Sequence, residues 1–187
     1  GLDVGEGPDA AATKPFGLMP FKPGPGLGGH CLPLDPFYLA WKAREVDFQT
    51  EFIELAGKVN ANMPYFCVQK IGRALNRQAR SLHGSRVLLL GVAYKRDVSD
   101  FRESPAFAII HGVEKRGAQA SYLDPYIPAL DEDGVTLKSI DPATDFGEFD
   151  AVVIVTDHAV MPRDRLLTQA KLVVDTRDAL RNVVGDH

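Results

Sequence analysis

The sequence predicts an α/β protein in which a helical segment precedes an open parallel sheet. Residues 87–93 (VLLLGVA) are apolar throughout, as in a strand buried on both faces of such a sheet. Between residues 48 and 80, apolar side chains recur at three- and four-residue steps, as on one face of a helix. Beyond residue 86, strand-like and helix-like stretches alternate, which is the order of a parallel sheet with crossover helices.

Taken in order, residues 1–20 are small, polar and punctuated by proline. Residues 8–12 (PDAAA) can form a short helix, and Lys14-Pro15-Phe16-Gly17 a turn. Pro23-Gly24-Pro25-Gly26 and Gly28-Gly29 make a loop stiffened at proline and open to close ligand approach at glycine. Asp35-Pro36 reads as the N-cap and first position of a helix through Phe37, Leu39, Trp41 and Ala43. The pattern of residues 48–80 runs through Phe52, Leu55, Val59, Val68, Ile71 and Leu75. Pro64 within it predicts a kink or a break into two helices. Its apolar face exceeds what the flanking segments can cover, so a dimer contact through this helix is expected. Cys67, near Ile71 on that pattern, reads as core.

In the second half, Ser104-Pro105 caps and opens a helix that ends at Gly117. Strands are expected at 119–123, 150–156 and 171–175, with a helix at 161–170. The expected division is residues 1–80, with the cysteine loop and helical segment, and residues 81–187, with the sheet.

Composition narrows the classes. A net charge of −4 gives no basis for a nucleic-acid partner or an acidic membrane. No apolar run approaches the ~20 residues that span a bilayer, and residues 1–14 lack the basic-then-apolar order of a signal peptide. The two cysteines, Cys31 and Cys67, form no disulfide framework, so the expected compartment is the reducing cytoplasm.

Cys31 is the chemically informative residue. On the predicted helix start it sits just ahead of the N-terminus, facing the positive end of the helix dipole. Three readings fit it. One is a tight turn around a small, inert thiol. Another is a metal site of His30, Cys31 and Asp35, which is disfavoured because no second ligand cluster at zinc spacing follows. The third is a nucleophile held in a ligand-hugging glycine loop. His30 makes a poor base for its neighbour, because adjacent side chains in extended backbone point apart.

The sheet carries no Gly-x-Gly-x-x-Gly fingerprint. Ala93 and Lys95 stand where a further glycine would follow Gly91, so a dinucleotide pyrophosphate would lack close backbone approach. Asp124-Pro125 reads as a turn cap before a ribose-binding acid. Tyr94-Lys95 follows the carboxyl end of the first strand, where open α/β sheets bind ligands; a solvated loop tip also accounts for it. Asp97, Asp100, Arg102 and Glu103 read as an ion-paired loop, with Arg102 just ahead of a helix start that favours anions. Asp175-Thr176-Arg177 reads as a cap followed by a surface arginine. His158 is accounted for by a strand-end turn.

Two stretches carry a resemblance. FKPGPGLGGHCLPLDPFYL (21–39) looks like the catalytic-cysteine segment of the nucleotide-sugar 6-dehydrogenases, the UDP-glucose/GDP-mannose dehydrogenase family. GVAYKRDVSDFRESPA (91–106) resembles that family's second signature, at the appropriate distance. The GGHC form followed by PLDPFYL is similar to members acting on UDP-N-acetylhexosamines. UDP-glucose members more often carry Ser at the His30 position and Lys after the proline.

The resemblance implies a Rossmann-like sheet that binds the UDP of the sugar, with NAD on a separate N-terminal domain absent from this sequence. It implies Cys31 as the catalytic thiol and Asp35 as the residue activating water or steering protons. Lys22, Gly24, Leu27, Gly28, Tyr94, Lys95 and Arg177 match substrate-binding positions, and Arg102 matches one reaching towards NAD phosphate. Lys14 lies where relatives send a basic residue to the neighbouring subunit, in a loosely aligned stretch. The central helix of relatives forms a homodimer. The reaction implied is oxidation of the sugar C6 hydroxyl to a carboxylate through a thiohemiacetal and a thioester. The rival reading is a truncated, non-catalytic module that binds UDP-sugar without oxidising it.

Overall fold

The computed structural model describes residues 6–14, 16–17 and 21–181. The short helix expected near the start is α1 (Glu6–Ala12). Pro15, in the turn expected next, lies outside the described residues.

Helix α2 (Cys31–Arg44) begins five residues earlier than the sequence predicts. Its N-cap is His30, which makes no side-chain capping bond, so Asp35 is a helical residue and not a cap. The prolines permit this. A first-turn N–H has no intrahelical acceptor, so Pro33 forfeits nothing there, and Pro36 loses only the bond to the Leu32 carbonyl. Ala40 is the residue α2 buries; Leu34, Phe37, Tyr38, Leu39 and Trp41 remain exposed to varying degrees.

Helix α3 (Glu51–Arg77) is continuous through Pro64, against the expected break. Pro64, Cys67, Val68, Ile71 and Leu75 are buried on one face and dock onto the sheet. An interior proline costs ~3 kcal/mol. Burying Val68, Ile71 and Leu75 contributes ~1.5–3 kcal/mol each, so the packed face outweighs the proline and keeps the helix unbroken. The N-terminal half of α3 has no such cover: Phe52, Leu55 and Val59 are exposed, Phe52 at 87%.

The sheet has four parallel strands in the order β2-β1-β5-β6. Strand β1 (Arg86–Leu90) is central, with Val87–Leu90 opposite Ala120–Leu123 of β2 (Gln119–Leu123) and Ala151–Ile154 of β5 (Ala151–Ile154). Val87 and Leu89 face a core shared with α3 and α4 (Pro105–Glu114), while Leu88 and Leu90 face one shared with α5 (Arg163–Gln169). Both faces being covered is why the strand reads as an unbroken apolar run. Strand β6 (Val173–Asp175) closes the order beside β5. Helix α4 starts as the sequence predicts: the Ser104 hydroxyl accepts the Ala106 N–H at 3.2 Å. It packs so tightly on α3 that a Cβ at Gly112 would stand 2.7 Å from Val68 Cγ2.

An antiparallel hairpin of β3 (Ala129–Glu132) and β4 (Val135–Lys138) is additional to the predicted elements. Asp133 and Gly134 both have positive φ, 53° and 75°, which is the backbone a two-residue hairpin turn requires. Among the described residues no helix is long and apolar enough to cross a membrane.

Candidate functional site

The cysteine loop is seated by backbone-level contacts with the second half of the chain. The Gly29 N–H donates to the Arg102 carbonyl at 3.1 Å. A Cβ on Gly28 would lie 2.6 Å from Tyr94 Cβ and 2.8 Å from the Glu103 carbonyl oxygen, and Gly29, at φ +84°, lies against the Tyr94 ring. Gly24 abuts the Arg177 guanidinium so closely that a Cβ there would overlap it. The Leu27 N–H donates to the Asn60 side-chain oxygen at 2.8 Å, tying the loop to the middle of α3. Gly24, Leu27, Gly28, Tyr94 and Arg177, dispersed over the sequence, thus share one surface.

Just beyond this surface, Cys31 is the exposed first residue of α2. Asp35 is exposed one turn on, and at i,i+4 the two side chains share a helix face. The earlier helix start therefore brings thiol and carboxylate nearer one another than an N-cap at Asp35 would. Among the described residues no group of three His, Cys, Asp or Glu side chains is placed to hold a metal ion.

The basic candidates differ in commitment. Arg177 follows β6, where the Asp175 carboxylate accepts the Arg177 N–H at 2.9 Å and the Leu180 N–H at 2.8 Å, as the expected cap. Lys95 is exposed at the tip of the loop after β1. The Lys22 amine is 3.2 Å from Asp9, which also pairs with Arg181. The Arg102 guanidinium clamps Asp100 through both carboxylate oxygens, at 2.6–3.1 Å. Arg102 beside it holds the Asp100 carboxyl down to about 2.

At the switch point of this strand order, where a parallel sheet opens a ligand crevice, a small cavity of about 160 Å³ is lined by Leu90, Gly91, Thr156, His158 and Met161 among others. This point lies between β1 and β5, and there the Leu90 carbonyl accepts the Val155 and Thr156 N–H groups at 2.9 and 3.1 Å. The Thr156 hydroxyl donates to the Ala93 carbonyl at 2.7 Å, and Gly91 packs on Thr156 with only 2.6 Å of room for a Cβ. Asp124, beside these contacts, is fully buried. Burial pushes its carboxyl up, but His158 and the N–H groups of Ala93, Val92 and Tyr126 hold it below the usual range.

Comparison with known proteins settles the family. The model of the family's UDP binding domain matches residues 88–182, and that of its central domain matches residues 1–62. The chain belongs to the UDP-glucose/GDP-mannose dehydrogenase family. Among family members it is 30% identical to the UDP-N-acetyl-D-glucosamine 6-dehydrogenase of Pseudomonas aeruginosa, over 85% of this chain and 37% of the relative. It is 33% identical to the UDP-N-acetyl-D-mannosamine dehydrogenase of Pyrococcus horikoshii, over 84% of this chain and 35% of the relative. A solved structure of UDP-D-ManNAc dehydrogenase from that organism superposes with a TM-score of 0.78 at 26% identity, covering 100% of this chain and 42% of the other. The chain spans between a third and two fifths of the length of these curated relatives.

Two residues that position the site escape sequence reading. Asn60 lies in the stretch before Pro64 that the sequence marks only as suited to a kink or break, and the sequence explains His158 by its turn alone. Both act on backbone groups distant in sequence, 33 and 61 residues away.

Proposed function

We propose that this chain supplies the thiol and the nucleotide-sugar platform of an NAD-dependent 6-dehydrogenase acting on a UDP-N-acetylhexosamine. The carrying observation is the seating of Gly24 on Arg177 and of Gly28-Gly29 on Tyr94, which sets the start of α2 beside the surface of substrate candidates. Tyr94, Lys95 and Arg177 hold the nucleotide and its diphosphate, and residues 24–28 wrap the sugar. Lys22 joins them on leaving Asp9. The division follows the two roles: residues 1–80 carry the thiol and the helical contact, residues 81–187 the nucleotide.

Because the turn after β1 lacks a Gly-x-Gly-x-x-Gly fingerprint, NAD has no pyrophosphate cradle in this sheet, and Arg102 is the residue that reaches its phosphate from the rim. NAD, when bound, would accept one hydride in each of two successive oxidations, so two NAD are consumed for each alcohol taken to the acid. Cys31 Sγ adds to the carbonyl carbon of the C6 aldehyde, and the carbonyl oxygen gains a proton to give a thiohemiacetal. Loss of hydride from C6 and of that hydroxyl proton leaves a thioester. Water attacks it, with Asp35 accepting the proton; the C6–S bond breaks, releasing the carboxylate and the thiol. A free thiol of this kind belongs in the reducing cytoplasm. The uncovered apolar face of α2 and the first half of α3, with Trp41 63% exposed, supports a homodimer through the central helix.

Calorimetry with UDP and UDP-N-acetylglucosamine tests this reading. Each charge-assisted hydrogen bond contributes roughly 1.5–3 kcal/mol, so Arg177→Ala should weaken UDP about tenfold or more. Cys31→Ser, at the far end of the sugar, should leave UDP affinity nearly unchanged. The opposite pattern would overturn the placement of the nucleotide. By itself the purified 187-residue chain, given UDP-sugar and NAD, is expected to produce no NADH.

A further inference from the structure

Outside the thiol and the basic residues, the described residues contain one buried ionisable cluster, and it lies under the Tyr94-Lys95 loop. His158 is 2% exposed and Asp124 3%. His158 Nδ1 accepts the Asp97 N–H at 3.0 Å, which fixes the ring proton on Nε2, 3.1 Å from Asp124 Oδ2. Asp124 Oδ2 also accepts the Val92 and Ala93 N–H groups, at 2.8 and 2.9 Å, so it holds the turn leaving β1. The Tyr126 ring lies against His158, with 5.0 Å between centroids. The loop is therefore gripped at both ends: at Val92-Ala93 by Asp124, and at Asp97 by His158.

Asp97 needs such a grip. Its φ is +57°, a left-handed conformation that persists at non-glycine residues when surrounding contacts over-determine it. The imidazole supplies one of these contacts, and the Ala159 N–H, donating to Asp97 Oδ1 at 2.8 Å, supplies another. Between the two grips stand Tyr94, against the cysteine loop, and Lys95. The Tyr94 N–H donates across the loop to the Asp100 carbonyl at 2.9 Å.

We propose that His158 is a positioning residue for nucleotide-sugar binding: by accepting the Asp97 N–H at Nδ1, it holds the Tyr94–Asp100 loop in its ligand-receiving shape. The proposal rests on the reading that Tyr94 and Lys95 contact the nucleotide sugar. It separates the two ring nitrogens. Nδ1 sets the loop, whereas Nε2 serves the buried carboxylate and contributes to stability.

Two substitutions divide these roles in the full 187-residue chain. Asparagine places its oxygen near the position of Nδ1, so His158→Asn keeps the acceptor for Asp97 and loses the contact to Asp124. Glutamine places its amide near Nε2, so His158→Gln keeps the donor to Asp124 and loses the acceptor. Loss of one hydrogen bond at the loop corresponds to up to about tenfold in affinity. UDP titration should therefore show affinity retained within about threefold in His158→Asn and reduced about tenfold in His158→Gln. Thermal melting should not favour the asparagine variant. Equal UDP affinities in two folded variants, or a weaker asparagine variant, would overturn the proposal. Arg177→Ala is the control. Wild-type chain that fails to bind UDP refutes the underlying reading, whereas an Arg177→Ala loss beside equal His158 variants refutes only the role of His158. Where a variant does not fold, wild-type NMR decides. The expected signature is an unprotonated Nδ1 on His158, with Lys95 and Asp97 amides gaining exchange protection together on adding UDP. A protonated Nδ1, or protection unchanged by bound UDP, would reject the role.

Discussion

Replacing Gly28 with alanine isolates the contact on which the site depends. Gly28 is not among the residues with positive φ, so alanine meets no backbone penalty and the effect is steric. Its Cβ would stand 2.6 Å from Tyr94 Cβ and 2.8 Å from the Glu103 carbonyl oxygen. Neither neighbour is the end of a flexible side chain, so the loop or the Tyr94 turn must move. Overpacking of this kind costs about 1–3 kcal/mol. For a chain of this size that corresponds to a fall in Tm of about 2–12 °C if the loop stays seated. Should the loop lift instead, the melting temperature is spared and the sugar-binding surface comes apart. Differential scanning calorimetry and UDP-sugar titration, run together, capture both outcomes. Gly24→Ala provides a contrast, because its Cβ meets only the Arg177 guanidinium. That side chain can swing aside at little cost to folding, but UDP loses a phosphate partner. A Gly28→Ala protein with both melting temperature and UDP-sugar affinity unchanged would refute the packing of the cysteine loop on Tyr94.

Thiol labelling should modify Cys31 in the native chain and Cys67 only on unfolding, since Cys31 is exposed and burial pushes the Cys67 thiol up; rapid modification of both in native protein would contradict the packing of α3. Leu55→Asp or Val59→Asp should shift sedimentation from dimer to monomer without unfolding, because both side chains are exposed in the single chain; a wild-type monomer at micromolar concentration would refute the dimer. The Asp124 carboxyl is held below its ordinary value of 3.8, so its stabilising contribution is fully present above pH ~4 and fades as the pH falls through its lower native value. The stability gap between wild type and Asp124→Asn should accordingly be wide near neutrality and narrow below pH ~4; a gap constant across that range would argue against an ionised Asp124.

Much of the fold is legible because its signals are local. An apolar run covered on both faces, a Ser-Pro helix start and helical periodicity each report what the chain does within a few residues. The start of α2 was misread for an equally local reason. The segment carries Pro33 and Pro36, and either can stand in a first helical turn, so proline alone does not say which turn comes first. The hairpin at Asp133-Gly134 carries a local signal as well, since Asp-Gly between alternating apolar residues is a strong turn signal. Pro64 does not break α3, because its cost is local while the compensation, burial of Val68, Ile71 and Leu75 against the sheet, is tertiary. Asn60 and His158 carried no local signal. Each uses one side-chain acceptor to fix a backbone N–H in a remote loop, and no spacing rule marks such a pair.

The β1–β5 strand ends and the seated cysteine loop are two sides of one arrangement. A parallel sheet of this order has its natural ligand crevice between β1 and β5, beyond the strand ends. Here the Gly91–Thr156 approach, the Leu90 carbonyl and the Asp124–His158 pair lie around a small cavity. The same contacts fix the turn after β1 and turn its Tyr94 towards Gly28 and Gly29. On the function proposed above, a nucleotide drawn to the strand ends would meet its cations at Lys95 and Arg177, with the thiol-bearing helix beside them. The buried polar cluster then shapes the loop that receives the nucleotide, so perturbing the cluster should be felt in the nucleotide before it is felt in the fold.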